Sequence, residues 1–195
     1  MARYLVVGLG NPGPRHAATR HNVGFRLVDV LAGRWGVALR HGDELAAWGE
    51  GRVADEVVVL AKPVTFMNAS GQAVLALRES VRPDGIIIGF DDLDLPLGRV
   101  RLRGGGGAGG HRGVTSVIEA VGPEFVRVRI GIGRPTTPET IDFVLAPFAP
   151  EEQAVVEDAL ARAADGVACL LREGLEAAMR LCNGPVPLAI ERPIR

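Results

Sequence analysis

Strand-length apolar runs that alternate with helical stretches predict an α/β fold, a sheet with helices packed on both faces. Three observations carry this expectation. RYLVVGL, DGIIIGFDD and FVRVRIGIG are short, rich in Val and Ile, and bounded by turn residues. Between them, apolar residues recur at helical spacing. The 195 residues also contain no internal repeat and no linker, so one domain is expected over 1–184, with 185–195 (PVPLAIERPIR) as a loosely docked tail.

Taken in order, residues 3–9 form a first buried strand. The opening MARYLVVGLG has one Arg and a short apolar run that meets a tight turn, which suits a core strand better than a secretion signal. Val23, Leu27, Val28, Leu31 and Trp35 fall on one helical face, giving a helix over 22–35 that stops near Gly33 or Gly36. Segments 46–54 and 56–62 read as a hairpin. A helix over 69–81 follows TFMNASG, and GIIIGFDD is a strand that ends in acids. LDLPLG is a turn and RVRLR a strand. GGGGAGG (104–110) is a flexible loop that opens a helix over 111–122. From Glu151 to Cys182 the pattern is amphipathic helix, interrupted near Gly166 and Gly174.

Composition narrows the class. Apolar residues make up 47% and charged residues 23%, as in ordinary globular domains, and no apolar run reaches membrane-spanning length. Cys169 and Cys182 lie in apolar helical surroundings without metal-ligand spacing. Buried thiols in a reducing, cytoplasmic compartment are the expectation. The net charge of −1 argues against non-specific nucleic-acid binding by the whole surface. Its distribution says something else. Residues 99–134 carry seven arginines against Glu119 and Glu124, so this stretch is strongly positive and the remainder negative. Arg99, Arg101 and Arg103 sit two apart, and on a strand they would line one face as a stripe suited to phosphates.

Gly8-Leu9-Gly10-Asn11-Pro12-Gly13 matches the G-x-G-x-x-G spacing of a dinucleotide turn. In that motif a helix starts at the glycines, and an acid follows about 20 residues later at the end of the next strand. Here prolines bracket the third glycine, helical periodicity begins only near residue 23, and Asp29 lies inside that helix. No nucleotide cofactor is expected. What remains is a rigid turn at a strand's C-terminal end that presents Asn11.

Polar groups occupy comparable places elsewhere. His21 stands in ATRHNVG and Asn68 in TFMNASG, each just before a helix, and Asp91 ends a strand. G-x-S-x-G is absent, so water is the expected nucleophile. In that scheme His21 is the general base, Asp91 fixes its tautomer, and asparagine amides donate to a developing oxyanion. Each residue also has a plainer reading, as a helix-start residue or a turn Asn. Asp91, Asp92 and Asp94 could be an acidic edge or a Mg²⁺ site, although no fourth ligand is evident.

GLGNPGPRHAATRHNVGF, PVTFMNASGQAV, FDDLDLPLGRVRLR, GGAGGHRG and FVRVRIGIGRP, in this order over about residues 4–145, resemble the bacterial-type peptidyl-tRNA hydrolases. The resemblance implies a single-domain, mixed and twisted sheet flanked by helices, monomeric and free of metal and cofactor. It implies hydrolysis of the ester between a peptide and the terminal ribose of tRNA. The partner is therefore a tRNA carrying a peptide, engaged at its acceptor end and terminal adenosine, with no membrane involved. On the matching positions it places the catalytic base at His21, its supporting carboxylate at Asp91, and an asparagine that distinguishes blocked from free aminoacyl-tRNA at Asn11. Asn68 would bind the substrate backbone near the ester, flanked by Phe66 and Met67, and Arg103 and Arg129 would contact tRNA. His16, His111 and Arg112 complete the substrate-side set. His16 stands where the family usually has Tyr, Arg112 where it has Asn, and Ala108 where it has His. These departures imply a shifted substrate preference, since Arg112 is donor-only and permanently charged. Alternatives of another class are an RNA-binding relative with reduced catalysis, and a metal-dependent hydrolase built on the three acids.

Overall fold

The structure, a computed structural model, describes residues 1–42, 44–135 and 139–184. Among the described residues, seven strands form one sheet in the order β2-β3-β4-β1-β5-β7-β6. They are β1 (Arg3–Gly8), β2 (His41–Gly42), β3 (Ala46–Val53), β4 (Glu56–Pro63), β5 (Gly85–Asp92), β6 (Val100–Gly104) and β7 (Val126–Gly131). The four central strands, β4, β1, β5 and β7, run parallel, and β2, β3 and β6 pair antiparallel at the two sides. The mixed sheet is as expected.

Its helices are α1 (Val23–Trp35), α2 (Ser70–Val81), α3 (Arg112–Val121), α4 (Thr140–Leu145), α5 (Gln153–Glu173) and α6 (Leu175–Asn183). They divide between the sheet's faces as strand alternation requires. Val6 and Ile87 point into one core with Leu27, Leu31, Leu160 and Val167 of α1 and α5. Leu5, Val7 and Ile88 point into the other with Val74, Leu77, Val114 and Val117 of α2 and α3. Strands buried on both faces explain why β1, β4 and β5 read as continuous apolar runs.

Close packing accounts for two glycines of the dinucleotide look-alike. A Cβ on Gly8 would lie 2.0 Å from the carbonyl oxygen of Gly24, and one on Gly10 would strike the Phe25 ring at 2.6 Å. Gly24 is equally tight, 2.5 Å from the oxygen of Leu9. The pattern lets α1 lie directly on β1.

Two expectations are corrected. The C-terminal helix is not interrupted near Gly166, because α5 runs unbroken to Glu173. Gly166 is where α6 and β6 pack against α5, and a Cβ there would meet Cys182 Sγ at 2.4 Å and Leu102 at 3.2 Å. The break falls at Gly174, with φ +87°. Cys169 and Cys182 are free thiols, half-buried rather than fully buried. Within the basic stretch, Arg127 is only 2% exposed. Two further elements, β2 and α4, had no counterpart in the sequence reading. The tail 185–195 lies outside the described residues. Among the described residues, no helix is long and apolar enough to cross a membrane.

Candidate active site

The parallel strands all end at the same edge, where ligands collect in open α/β sheets. A groove of about 750 Å³ opens there. The turn after β1 delivers Asn11, the end of β5 delivers Asp91, and the turn after β4 delivers Met67 and Asn68. His21 comes from the 3-10 turn Arg20–Asn22 that leads into α1. The glycine loop and the start of α3 bring His111 and Arg112.

Asp91, 3% exposed, accepts from two imidazoles. His21 Nδ1 lies 2.8 and 2.9 Å from its two oxygens, and His111 Nε2 lies 2.9 Å from Oδ1. The tautomers follow from these partners. His111 caps α3, with its Nδ1 accepting from the Val114 N–H at 3.2 Å, so its proton sits on Nε2 and donates to Asp91. The ionised carboxylate only accepts, so His21 carries its proton on Nδ1. Its Nε2 is left as a lone-pair base in a side chain that lines the groove.

Burial alone would push the Asp91 carboxyl up. The charge and hydrogen bond of His111, then the hydrogen bond and charge of His21, overcome that and hold it well below the usual carboxylate range.

Asn11 is locked on three sides. Its N–H donates to Asn22 Oδ1 and its C=O accepts from Asn22 Nδ2, both at 2.9 Å, while its Oδ1 accepts from the Met67 N–H at 2.9 Å. With its oxygen occupied, the Asn11 amide has its N–H₂ group to offer the groove. Asn68 is exposed in the groove wall and makes no side-chain hydrogen bond to the described residues. Asn22, 1% exposed, is a site residue that sequence reasoning missed. Its place beside His21 in RHNVG was the only signal.

The glycine loop is conformationally demanding. Gly105, Gly106, Gly109 and Gly110 have φ of +69°, +123°, +58° and +79°, a region that other residues rarely adopt. Arg127 fastens it, donating to the carbonyls of Pro123 and Phe125 at 3.0 Å and to that of Gly106. Arg127 thus organises the loop rather than extending the basic stripe.

Of the other expected positions, Arg103 and Arg112 are exposed in the groove wall, and Arg129 lines it while paired with Asp92. Phe66 is 67% exposed at the rim, and Met67 is buried beneath it. His16 is not brought into the groove. Its Nδ1 lies 2.9 Å from the Pro12 carbonyl oxygen, which closes the preceding turn. The three acids do not converge either, because Asp91 holds the imidazoles, Asp92 pairs with Arg129 and Asp94 with Arg134. Among the described residues, His21, Asp91 and His111 offer metal-ligand atoms within 4.8 Å of one another. An ion bound there would displace the two N–H protons that hold the carboxylate.

Residues 5–189 match the family model described as peptidyl-tRNA hydrolase. The chain belongs to the peptidyl-tRNA hydrolase family. The peptidyl-tRNA hydrolase of Symbiobacterium thermophilum is 52% identical, over 92% of this chain and 98% of that protein. That of a Synechococcus strain is 47% identical, over 100% and 88%. A crystal structure of peptidyl-tRNA hydrolase from Acinetobacter baumannii superposes with a TM-score of 0.90 at 38% identity, covering 95% of this chain and 96% of that one. Ester hydrolysis of peptidyl-tRNA is the activity that goes with this membership.

Proposed function

We propose that the chain releases free tRNA by letting His21 Nε2 take a proton from water, which then attacks the ester carbonyl between a peptide and the terminal ribose. Asp91 holds the Nδ1–H tautomer and stabilises the imidazolium as it forms. The Asn11 and Asn68 amides donate to the oxyanion, and Asn11 also meets the blocked amino group of the substrate. As the bond to the ribose oxygen breaks, the imidazolium returns its proton to that leaving group. His111 steadies Asp91 from the other side. Phe66 and Met67 lie against the acyl group, and Arg103, Arg112 and Arg129 face tRNA phosphates. The reaction uses no metal or cofactor, and the working form is a cytoplasmic monomer.

The observation that carries this reading is the His21–Asp91 pair, 2.8 Å apart at the floor of an open groove. A general base contributes typically about 10²–10⁴ in rate and one oxyanion donor about 10²–10³, magnitudes suited to an activated ester. The test is turnover of N-blocked aminoacyl-tRNA by purified protein. Hydrolysis that survives EDTA and disappears in His21→Ala is expected. EDTA sensitivity, or unimpaired His21→Ala, would overturn the mechanism, and sedimentation at the dimer mass would overturn the monomer.

A further inference from the structure

Arg20, the neighbour of His21, is 8% exposed and its guanidinium is caged. Its centre lies 4.5 Å from the Phe143 ring and 4.8 Å from the Phe148 ring, and Nη2 meets Glu152 at 2.8 Å. Among the described residues, Nε and Nη1 are buried without a hydrogen-bond acceptor, and the aromatic faces are their compensation. The backbone adds two ties, since the Arg20 N–H donates to Ala146 at 3.0 Å and Thr19 forms an antiparallel bridge with Pro147.

The tied segment is a wall of the groove. Thr140, Ile141, Val144 and Leu145 of α4 all line it, yet no residue of α4 is fully buried, and only Phe143 and Val144 lean on a core. Among the described elements, its principal packing partner is the Arg20–Asn22 turn. The groove wall is therefore anchored chiefly on the turn that holds the base.

We propose that Arg20 is a positioning residue that couples the placement of α4, a wall of the groove, to the orientation of His21. It rests on the reading of His21 as base, which the His21→Ala assay tests separately. Phe143 does not itself line the groove, and its ring meets the Arg20 guanidinium directly.

Steady-state kinetics on N-blocked aminoacyl-tRNA decide the matter, using Arg20→Met, Phe143→Leu and the double variant, each assayed well below its melting temperature. Each single variant is expected to lose about tenfold in kcat with KM within about twofold, the signature of a loss felt in the chemical step. The double should be no worse than the singles, since both break the same connection. Phe143→Tyr, which keeps the ring face, should restore kcat. A kcat within about twofold of the parent, an effect confined to KM, or losses that multiply in the double would overturn the coupling. Should Arg20→Met fail to fold, Phe143→Leu and Glu152→Gln decide by the same criteria. Loss of turnover in His21→Ala alongside unaffected Arg20 variants would remove the coupling and leave the base standing.

Discussion

One carboxylate serves two imidazoles in this site, and at the scale of the residue that makes Asp91 harder to replace than its partners. An amide at this position would offer an N–H to His21 Nδ1, moving the imidazole proton to Nε2 and blocking the base. Asp91→Asn is therefore expected to keep the fold by circular dichroism and to lose about 10²–10⁴ in kcat. Near-normal turnover would remove Asp91 from the mechanism. The pH dependence has a definite sign. With its folded-state pKa depressed below the ordinary 3.8, Asp91 contributes stability that is complete above that value and is lost as pH falls through the lower one. The part of the stability gap between parent and Asp91→Asn that comes from this carboxylate should therefore narrow in acid below about 3.8, as read by denaturant titration at several pH values. His21, Asp91, Asn11 and Asn68 were legible in the sequence because each stands at a strand or helix end. Asn22 was not, because its work is to pair with the Asn11 backbone, a contact that exists only once α1 folds onto β1. The role of Arg127 is hidden for a related reason, since its carbonyl partners include Gly106, 21 residues away.

Two glycines in helices separate intrinsic propensity from packing at the scale of the element. Gly33 is exposed in α1, and a Cβ there would meet nothing within 4 Å. Gly33→Ala is expected to stabilise the protein by about 0.5–1 kcal/mol through lower unfolded-state entropy and better helix propensity. Gly166→Ala gains the same propensity but drives a methyl into Cys182 and Leu102. A net loss of about 1–3 kcal/mol is expected there. Denaturant midpoints that move the same way for both would contradict the packing account. Gly166 was read as a break because a glycine inside a helical pattern usually weakens it, and only the α6 contact reveals why it is tolerated. The short helix α4 escaped notice for the opposite reason. It is six residues long and none of them is fully buried, too short for its apolar residues to show a helical period. The long elements were legible because burial on both sheet faces writes itself into composition, as in the run from Gly85 to Asp92.

Charge is separated at the scale of the whole molecule. A chain of net charge −1 places Arg103, Arg112, Arg127, Arg129 and Arg134 along the groove, and Arg101 and Arg103 on β6 share a sheet face with Arg129 and Arg127 of β7 through the β6–β7 register. Arg103 is exposed and Arg127 is buried, so the two should behave differently. Arg103→Ala is expected to weaken tRNA binding and to reduce the slope of log K against log salt by about 0.7–0.9, one phosphate's worth. Arg127→Ala should instead lower the melting temperature by releasing the glycine loop. An unchanged salt slope in Arg103→Ala would exclude that phosphate contact.

β6 is the last strand on its side of the sheet, and the side chain of Asn183 completes it. Its amide accepts from the Leu102 N–H at 2.8 Å and donates to the Leu102 carbonyl at 2.9 Å, while Arg99 holds the Asn183 carbonyl. A single side chain thereby imitates one residue of an eighth strand, and α6 holds that imitation in place. Clipping the polypeptide ahead of α6 would bare a ribbon of unmet amides on the flank that also carries Arg101 and Arg103. Such a shortened molecule should recruit copies of itself edge to edge, so its failing would show first as turbidity and only afterwards as lost turnover.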